Sequence, residues 1–241
     1  MKRILQCVIV VWAFSSSSAS AVDIRFLQYD GFQLVVDCDL RSATRFSYSI
    51  GPDSNNLKRR SSFSKDPDFP SKCQQHSGKS YNQGPEAFDR GHLVPANHLD
   101  HLKLGIRESN YVTNILPQAR NMKRGAWLRT EEIIECYREE GVLQVFGGPI
   151  YSTERDRDFF TESHGVRTPS AFWKVIISES DNIAWIIPNT SKARRSKLNE
   201  YIVPIKEIEV VAGEHFQSID EASKNQPAIS SWDLPDGCDL S

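Results

Sequence analysis

The sequence predicts an α+β fold in which short antiparallel strands are combined with few helices. Residues 32–40 and 45–50 alternate apolar and polar positions, which is typical of a β-hairpin. Residues 171–189 predict a second hairpin that turns at Asp181-Asn182. One stretch, residues 125–141, has apolar positions at helical spacing. Because hairpins with one or two helices differ from the strand–helix alternation of a doubly wound sheet, we expect a mixed, mainly antiparallel sheet.

The first hairpin is expected to bury one face of each strand. Its apolar positions are Phe32, Leu34, Val36 and Cys38 in the first strand and Phe46, Tyr48 and Ile50 in the second. Residues 51–87 follow and are rich in Ser, Asp, Asn, Lys, Pro and Gly. This composition predicts a long exposed excursion, and loops of this length are often functional.

Two further strand regions are expected in the second half of the chain. Residues 143–151, LQVFGGPIY, form a short apolar run that we expect to stop at Gly147-Gly148-Pro149. In the second hairpin we expect Val175 and Ile177 to share a face with residues of the returning strand. The matching residues are Ile183, Trp185 and Ile187.

The clearest helix is expected to begin near Gly125-Ala126 and to end at Gly141. Its apolar spacing comes from Trp127, Thr130, Ile134 and Tyr137, and we interpret Trp127 as a core residue. A shorter helix is predicted over residues 192–200.

The N-terminal residues 1–21 predict a secretory signal peptide. Lys2 and Arg3 precede an apolar run from Ile4 to Phe14, and small residues end at Ala21. The run is too short to span a bilayer, so we expect cleavage after Ala21 and a secreted protein without a membrane anchor. Residues 22–241 then form a single domain.

Four cysteines lie after the predicted cleavage point: Cys38, Cys73, Cys136 and Cys238. An even number in an exported chain suggests two disulfides, and four cysteines allow three pairings. Proximity in the sequence favours Cys38 with Cys73 and Cys136 with Cys238. Four buried free thiols are the alternative if the chain is not exported.

The formal net charge of −2 at pH 7 does not by itself suggest a polyanion as partner. Three local clusters are nevertheless basic: Lys58-Arg59-Arg60; Arg120, Lys123 and Arg124; and Lys192, Arg194, Arg195 and Lys197. Each cluster alone is most simply a solvated surface. Two clusters that meet at one cleft can still hold a phosphate backbone.

The stretch from Phe88 to His98, FDRGHLVPANH, combines groups suited to acid–base chemistry. Asp89 and Arg90 can pair or contact a phosphate, and Gly91 allows a tight bend. His92 on such a bend can present one ring nitrogen to water while a backbone carbonyl holds the other. A lone histidine is more often a surface or core residue, and these neighbours are what make His92 a candidate.

A second segment, residues 110–133, completes a pattern. DRGHLVPA, followed by TNILPQ and RGAWLRTEE, resembles the DNA/RNA non-specific endonucleases, the secreted bacterial and mitochondrial nucleases whose site is a ββα-metal finger. VFGGPIY, PSAFWKVII, AWIIPN and YIVPIKEIE also resemble this family, so the resemblance runs from about Phe32 to Phe216. It implies hydrolysis of internal phosphodiester bonds of DNA and/or RNA with little sequence specificity.

The resemblance also implies roles for individual residues. His92 is the general base, Asn114 supports His92 and the metal shell, and Glu131 holds metal-bound water. Arg60 contacts the phosphate, with Arg59 as the alternative in the same loop. Arg90 acts similarly. Independently of the resemblance, the basic clusters lead us to expect that Arg59, Arg120 and Arg124 bind nucleic acid. The implied cofactor is Mg²⁺ or another divalent cation.

Lys123 departs from the family pattern, because the family has its one direct metal ligand, an Asn, at this position. An ammonium group cannot ligate Mg²⁺ and repels it. Asn121 is not an obvious substitute, since a two-residue shift along a helix turns the side chain by roughly 200°. Lys123 lies in one stripe with Trp127 and Glu131, and could instead supply charge to the scissile phosphate.

Two functions therefore remain open. One is a nuclease with weak or no metal dependence, which the retained His92, Asn114 and Glu131 favour. The other is a catalytically impaired protein of the nuclease fold that binds nucleic acid or another polyanion. A zinc site at His98 and His101 is disfavoured, because no further ligand follows at a suitable spacing.

Overall fold

The computed structural model describes residues 22–59 and 61–239. Six strands form one antiparallel sheet in the order β1-β2-β3-β6-β7-β8, and β4 and β5 form a separate antiparallel ribbon. The strands are β1 (Ile24–Tyr29), β2 (Phe32–Asp37), β3 (Ser42–Ile50), β4 (Phe88–His92), β5 (Ile115–Ala119), β6 (Leu143–Ile150), β7 (Ala171–Ile177) and β8 (Asn182–Pro188). The predicted α+β class with a mainly antiparallel sheet is confirmed.

The helices are short and lie between and after the strands. They are α1 (Lys103–Glu108), α2 (Arg120–Met122), α3 (Leu128–Tyr137), α4 (Ile205–Ala212) and α5 (Glu221–Lys224). A π-helical segment, Lys123–Trp127, joins α2 to α3. The 3₁₀ helices are Ser71–Cys73, Ala96–Leu99, Val112–Asn114 and Arg195–Tyr201. In the part of the chain that the structure describes, none of the helices has the length and hydropathy that a membrane-spanning helix needs.

The predicted end of the strand at residues 143–151 is wrong, because β6 continues through Gly147, Gly148 and Pro149. A Cβ at Gly147 would clash with the ring of Phe46 and lie 2.8 Å from the carbonyl oxygen of Trp173. The two glycines therefore let neighbouring strands and side chains pack closely in the sheet, and they do not end it.

Both predicted hairpins form, but the matching in the second is shifted by one residue. Ile176 pairs with Ile183 and Val175 with Ala184. Val175 consequently faces the side of the sheet covered by α4, whereas Ile183 and Trp185 face the larger core. A shift of one residue reverses the face, since strand side chains alternate.

The main helical segment begins at Arg120, five residues before the predicted start, because α2 and the π-helical segment precede α3. Trp127 is fully buried in the larger core, as predicted. The predicted helix over residues 192–200 is a 3₁₀ helix at residues 195–201. Residues 51–87 are largely irregular but not simply exposed, since Phe69, Gln75 and Tyr81 are buried.

Two disulfides tie irregular segments to regular structure. Cys38 is bonded to Cys73, and Cys136 of α3 is bonded to Cys238 near the C-terminus. The pairing favoured by sequence proximity is therefore confirmed.

Candidate active site

The β4–β5 ribbon and the following helical segment bring the two motifs together. His92 ends β4 and pairs with Ile115, the first residue of β5. Gly91 does not form a tight bend, because it lies inside β4. A Cβ there would clash with the side chain of Gln118, so the glycine allows the two strands of the ribbon to pack closely.

His92 is held by Asn110, a residue to which the sequence analysis gave no role. Nε2 of the ring lies 2.9 Å from Oδ1 of Asn110. An amide oxygen only accepts hydrogen bonds, so Nε2 carries the proton and Nδ1 carries the lone pair. Within the described chain Nδ1 has no hydrogen-bond partner, which leaves it available to accept a proton.

The surroundings of His92 keep the ring neutral. Burial lowers its pKa from 6.5 to about 4, and the positive charges of Lys123, Arg90 and Arg59 lower the pKa further, against the effect of the bond to Asn110. The ring of Phe63 packs against the imidazole with 5.3 Å between centroids. At neutral pH the imidazole is therefore an unprotonated, weakly basic group.

Asn114 has a different environment from the one expected. Its side chain is fully buried, and Nδ2 donates to the carbonyls of Val94 and Ser109, both at 2.8 Å. Its Oδ1 accepts from the N–H of Val94 at 3.0 Å. Both N–H groups of the amide are thus used by the backbone, and the side chain that contacts His92 is that of Asn110. Asn114 holds the chain that leaves β4.

Lys123 reaches the same site from the π-helical segment. Its Nζ donates to the carbonyl of Arg90 at 3.0 Å. Burial lowers the pKa of this ammonium, while the carboxylates of Asp89 and Glu131 act in the opposite direction. Within the described residues Lys123 forms no direct ion pair, so its charge is only partly compensated.

Glu131 lies on α3 and interacts electrostatically with a buried lysine. Burial raises the pKa of its carboxyl, and the charges of Lys174 and Lys123 oppose that rise. Lys174, from β7, is fully buried; its Nζ donates to Oγ1 of Thr130 at 2.7 Å and lies 3.8 Å from the ring centre of Trp127. Burial lowers the pKa of Lys174 to about 8.

These groups line one cavity of about 240 Å³. Its wall includes Arg59, His92, Asn110, Lys123, Glu131, Glu132 and Glu135. Arg59 donates to Oδ1 of Asn97 at the edge of this cavity. Arg60, the preferred phosphate contact, lies outside the described residues. The structure therefore brings His92, Lys123, Glu131 and Arg59 together, and their roles stay predictions.

The other predicted contacts lie beside the cavity. Arg90 donates to the carbonyl of Gly78 at 3.0 Å and covers the ring of Phe63 at 4.1 Å. Arg120 and Arg124 both pair with Asp89, at 3.2 and 2.8 Å. Asp89 therefore pairs with these helical residues and not with Arg90.

His98 is a buried structural residue. Its Nδ1 bonds to the hydroxyl of Tyr48 at 2.7 Å, and its Nε2 lies 3.2 Å from the carbonyl of Glu131. In the ranges that the structure describes, one group of three potential ligands has its donor atoms within 4.8 Å, namely Asp23, Cys38 and Cys73, and it includes a disulfide. A zinc site at His98 gains no support.

The chain matches a known protein family over most of its length. The sequence model described as DNA/RNA non-specific endonuclease matches residues 13–222. The chain belongs to the DNA/RNA non-specific endonuclease family.

Two curated relatives show how far the sequences of this family diverge. Mitochondrial Nuclease 1 of Schizosaccharomyces pombe is 25% identical over 81% of this chain and 67% of that protein. Human mitochondrial Endonuclease G is 25% identical over 57% of this chain and 51% of that protein. The chain thus matches about half to two thirds of the length of these relatives.

The chain shares its fold with a solved structure. The crystal structure of the complex of EndoG with EndoGI, which concerns the inhibition of EndoG, aligns with this chain at a TM-score of 0.64. The alignment covers 82% of this chain and 88% of that one, at 20% identity. This likeness supports the fold predicted from the motifs.

The predicted localisation is wrong. The two family members above are mitochondrial by name, which contradicts the expectation of a secreted protein. Basic and serine-rich N-termini occur in both secretory and organellar targeting segments, so the pattern alone does not separate the destinations. Residues 1–21, the predicted signal, lie outside the described residues.

A divalent cation, which the family resemblance implies, does not fit the side chains around His92 as a directly bound ion. Oδ1 of Asn110 is taken by His92, and the Asn114 amide is taken by the backbone. The ammonium of Lys123 lies beside Glu131 and repels a cation. Glu132 is held by Arg195, and Oε1 of Glu135 by Arg138, so each carboxylate already has a cationic partner, although Oε2 of Glu135 has no hydrogen bond within the described residues.

Proposed function

We propose that this protein hydrolyses internal phosphodiester bonds of DNA and/or RNA, with His92 as general base and Lys123 as a fixed positive charge. The observation that carries the proposal is the orientation of His92. Its Nε2 is held by Asn110, and its Nδ1 has no partner within the described chain, in a cavity shared with Lys123. This is the arrangement that a base needs in order to accept a proton from water.

The proposed step begins with a neutral imidazole. Because burial lowers the pKa of His92 to about 4, the lone pair on Nδ1 is free at neutral pH. As water attacks phosphorus, its proton passes to Nδ1, the bond from phosphorus to one of the two ester oxygens breaks, and that oxygen takes a proton from bulk water. The imidazolium keeps its Nε2–H bond to Asn110. A low pKa makes the ring a weak base, so stabilisation of the phosphate must supply much of the catalysis.

Lys123 is suited to that stabilisation. Its ammonium is tied to the carbonyl of Arg90 at 3.0 Å and forms no direct ion pair within the described residues. A charge held in place by the protein lowers the energy of a transition state that gains negative charge. Arg59 can add to this effect from the edge of the cavity. No direct metal ligation is included in this mechanism.

A protein that only binds nucleic acid is the second candidate. It is favoured by the same substitution, because Lys123 occupies the position of the family's metal ligand and lowers the pKa of His92. Binding requires the positive surface but not a competent base.

Plasmid cleavage separates the two candidates. The full chain is compared with His92→Ala, Lys123→Asn and Lys123→Met, each with Mg²⁺ and with EDTA. We expect the wild type to cut in both buffers, and we expect His92→Ala and Lys123→Met to cut much more slowly. Lys123→Met is the matched control for Lys123→Asn, since it removes the charge without adding an oxygen ligand.

Three results would contradict the proposal. An inert wild type whose Lys123→Asn variant gains Mg²⁺-dependent cutting would support the binding protein. Wild-type cutting that EDTA abolishes would show that a cation is required despite Lys123. Full activity in His92→Ala would remove the assigned base.

A further inference from the structure

We propose that Lys192 and Arg194 bind the phosphate backbone of a nucleic-acid duplex beside the candidate site. This inference rests on the proposed function for its substrate class, and it assigns the binding to a second segment of the chain. The segment follows β8 and lies next to the helical segment that carries Lys123.

Hydrogen bonds join the two segments. The N–H of Ala126 donates to the carbonyl of Ala193 at 3.5 Å. The side-chain amide of Asn121 donates to the carbonyl of Ser191 at 3.4 Å. The side chain of Asn121 is therefore directed to the neighbouring segment.

Close packing at Gly125 brings the two backbones together. A Cβ at this glycine would lie 3.0 Å from the nitrogen of Arg195 and 3.1 Å from the Cα of Arg194. Such contacts are tighter than a side chain normally accepts, so a larger residue would push the two segments apart. Two of the basic clusters read from the sequence thus form one continuous surface.

This surface has an excess of positive charge. Residues 120–125 and 191–195 contain six cationic residues and no acidic one. Arg120 and Arg124 pair with Asp89, and Arg195 pairs with Glu132 on the cavity wall. Lys192 and Arg194 are exposed, and within the described part of the chain neither has an ion-pair partner. These two charges are therefore available to a ligand next to the cavity.

The chemistry of the surface fits phosphates better than bases. Proteins that bind single strands usually stack bases on exposed aromatic rings. The one exposed aromatic residue in the described ranges is Phe26, on β1 at the opposite edge of the sheet from β8. Phe63, beside His92, is covered by the guanidinium of Arg90. Duplex DNA or RNA, with its dense array of phosphates, is the ligand that such a surface fits.

The test measures how salt weakens binding. Fluorescence anisotropy follows a labelled 20-base-pair DNA duplex over a range of NaCl concentrations, in EDTA and in a His92→Ala background that prevents cleavage. Lys192→Gln/Arg194→Gln is compared with Arg25→Gln/Lys72→Gln. The control also removes two positive charges, but from an ion-pair cluster around Asp23 at β1. Thermal unfolding checks that each variant is folded.

A plot of log K against log salt has a negative slope. We expect its magnitude to decrease by about 1.8 in the Lys192/Arg194 variant, at about 0.9 per phosphate contact, and to stay unchanged in the control. An unchanged slope, or an equal fall in the control, would overturn the inference. So would tighter binding to a single strand of the same length, or no duplex binding by the parent. Plasmid cleavage reports on the proposed function separately, because binding without cutting leaves the duplex surface intact and refutes only the catalysis.

Discussion

Nζ of Lys123 lies 3.0 Å from the carbonyl oxygen of Arg90, two residues before His92 on the same strand. This hydrogen bond ties the helical segment to β4 and fixes an ammonium group beside the candidate base. Because the bond partner is a carbonyl and not a carboxylate, the charge of Lys123 remains to act on the imidazole and on a bound phosphate.

Cleavage should depend on pH differently from a reaction whose general base is an ordinary histidine. Its pKa is lowered to about 4, so cleavage should persist down to that pH and fall as the ring is protonated below it. In Lys123→Met the repulsion between two positive charges is absent, and the pKa of His92 should rise. NMR titration of the imidazole measures this without relying on activity.

Lys197→Met is a suitable control for that titration, since Lys197 pairs with Glu200 away from the ring. The pKa of His92 should not change in this variant. A pKa near 6.5 in the wild type, or an identical pKa in Lys123→Met, would contradict the electrostatic account.

Asn110 and Asn114 should have separable effects. Asn110→Ala removes the group that holds Nε2 of His92 and should slow cleavage by about 10-fold or more, up to the roughly 10²–10⁴-fold that a general base contributes. Asn114→Ala removes three buried bonds to the backbone and should cost roughly 3 kcal/mol of unfolding free energy or more. Urea unfolding and cleavage rates under substrate saturation distinguish the two.

The opposite pattern would show that the roles are exchanged. Strong destabilisation by Asn110→Ala with little loss of rate would mean that its bond to His92 serves the fold. A stable Asn114→Ala variant would mean that the turn after β4 does not depend on this amide.

Lys174 should make stability depend on pH in the alkaline range. Its folded pKa of about 8 lies below the ordinary lysine value of 10.5, so the unfolded chain binds more protons between these pH values and stability rises with pH there. Lys174→Met keeps a side chain of similar length but removes the buried charge. Its gain in unfolding free energy over the wild type should be largest at pH 7 and shrink towards pH 10.

Chemical unfolding at pH 7, 8.5 and 10 measures the difference in unfolding free energy between the variant and the wild type. The contributions of the other titrating groups largely cancel in this difference. Lys103→Met, at an exposed position of α1, is the control and should show no such trend. A variant that is less stable than the wild type at pH 7 by an amount that does not change with pH would show that packing outweighs the charge.

The disulfide between Cys136 and Cys238 should contribute strongly to stability, because it closes a loop with a sequence separation of 102 residues. The chain-entropy estimate for such a loop is about 4.7 kcal/mol, so Cys136→Ser/Cys238→Ser should unfold at a much lower urea concentration. Peptide mapping without reduction checks the pairing. A loss of unfolding free energy below about 1 kcal/mol would contradict this role.

Much of the fold could be predicted from local patterns. The hairpin of β2 and β3 follows from a largely alternating pattern, and the hairpin of β7 and β8 from two apolar runs around a polar turn. β1 was not predicted, because four of its six residues are exposed and it forms an edge with little periodicity. The passage of β6 through Gly147 and Gly148 also escaped local rules, because its cause is the close approach of Phe46 and Trp173 from other strands.

The sequence by itself determined the family, the order of the motifs, the lysine at position 123 and the identity of the candidate base, because these depend on residue types at fixed spacing. The tertiary structure decided that Asn110 and not Asn114 holds His92, that the buried Lys174 bonds to Thr130, and that the basic segments at 120–125 and 191–195 meet. Such contacts join residues distant in the chain, and only the packing of the sheet, the ribbon and the helices determines which of them form.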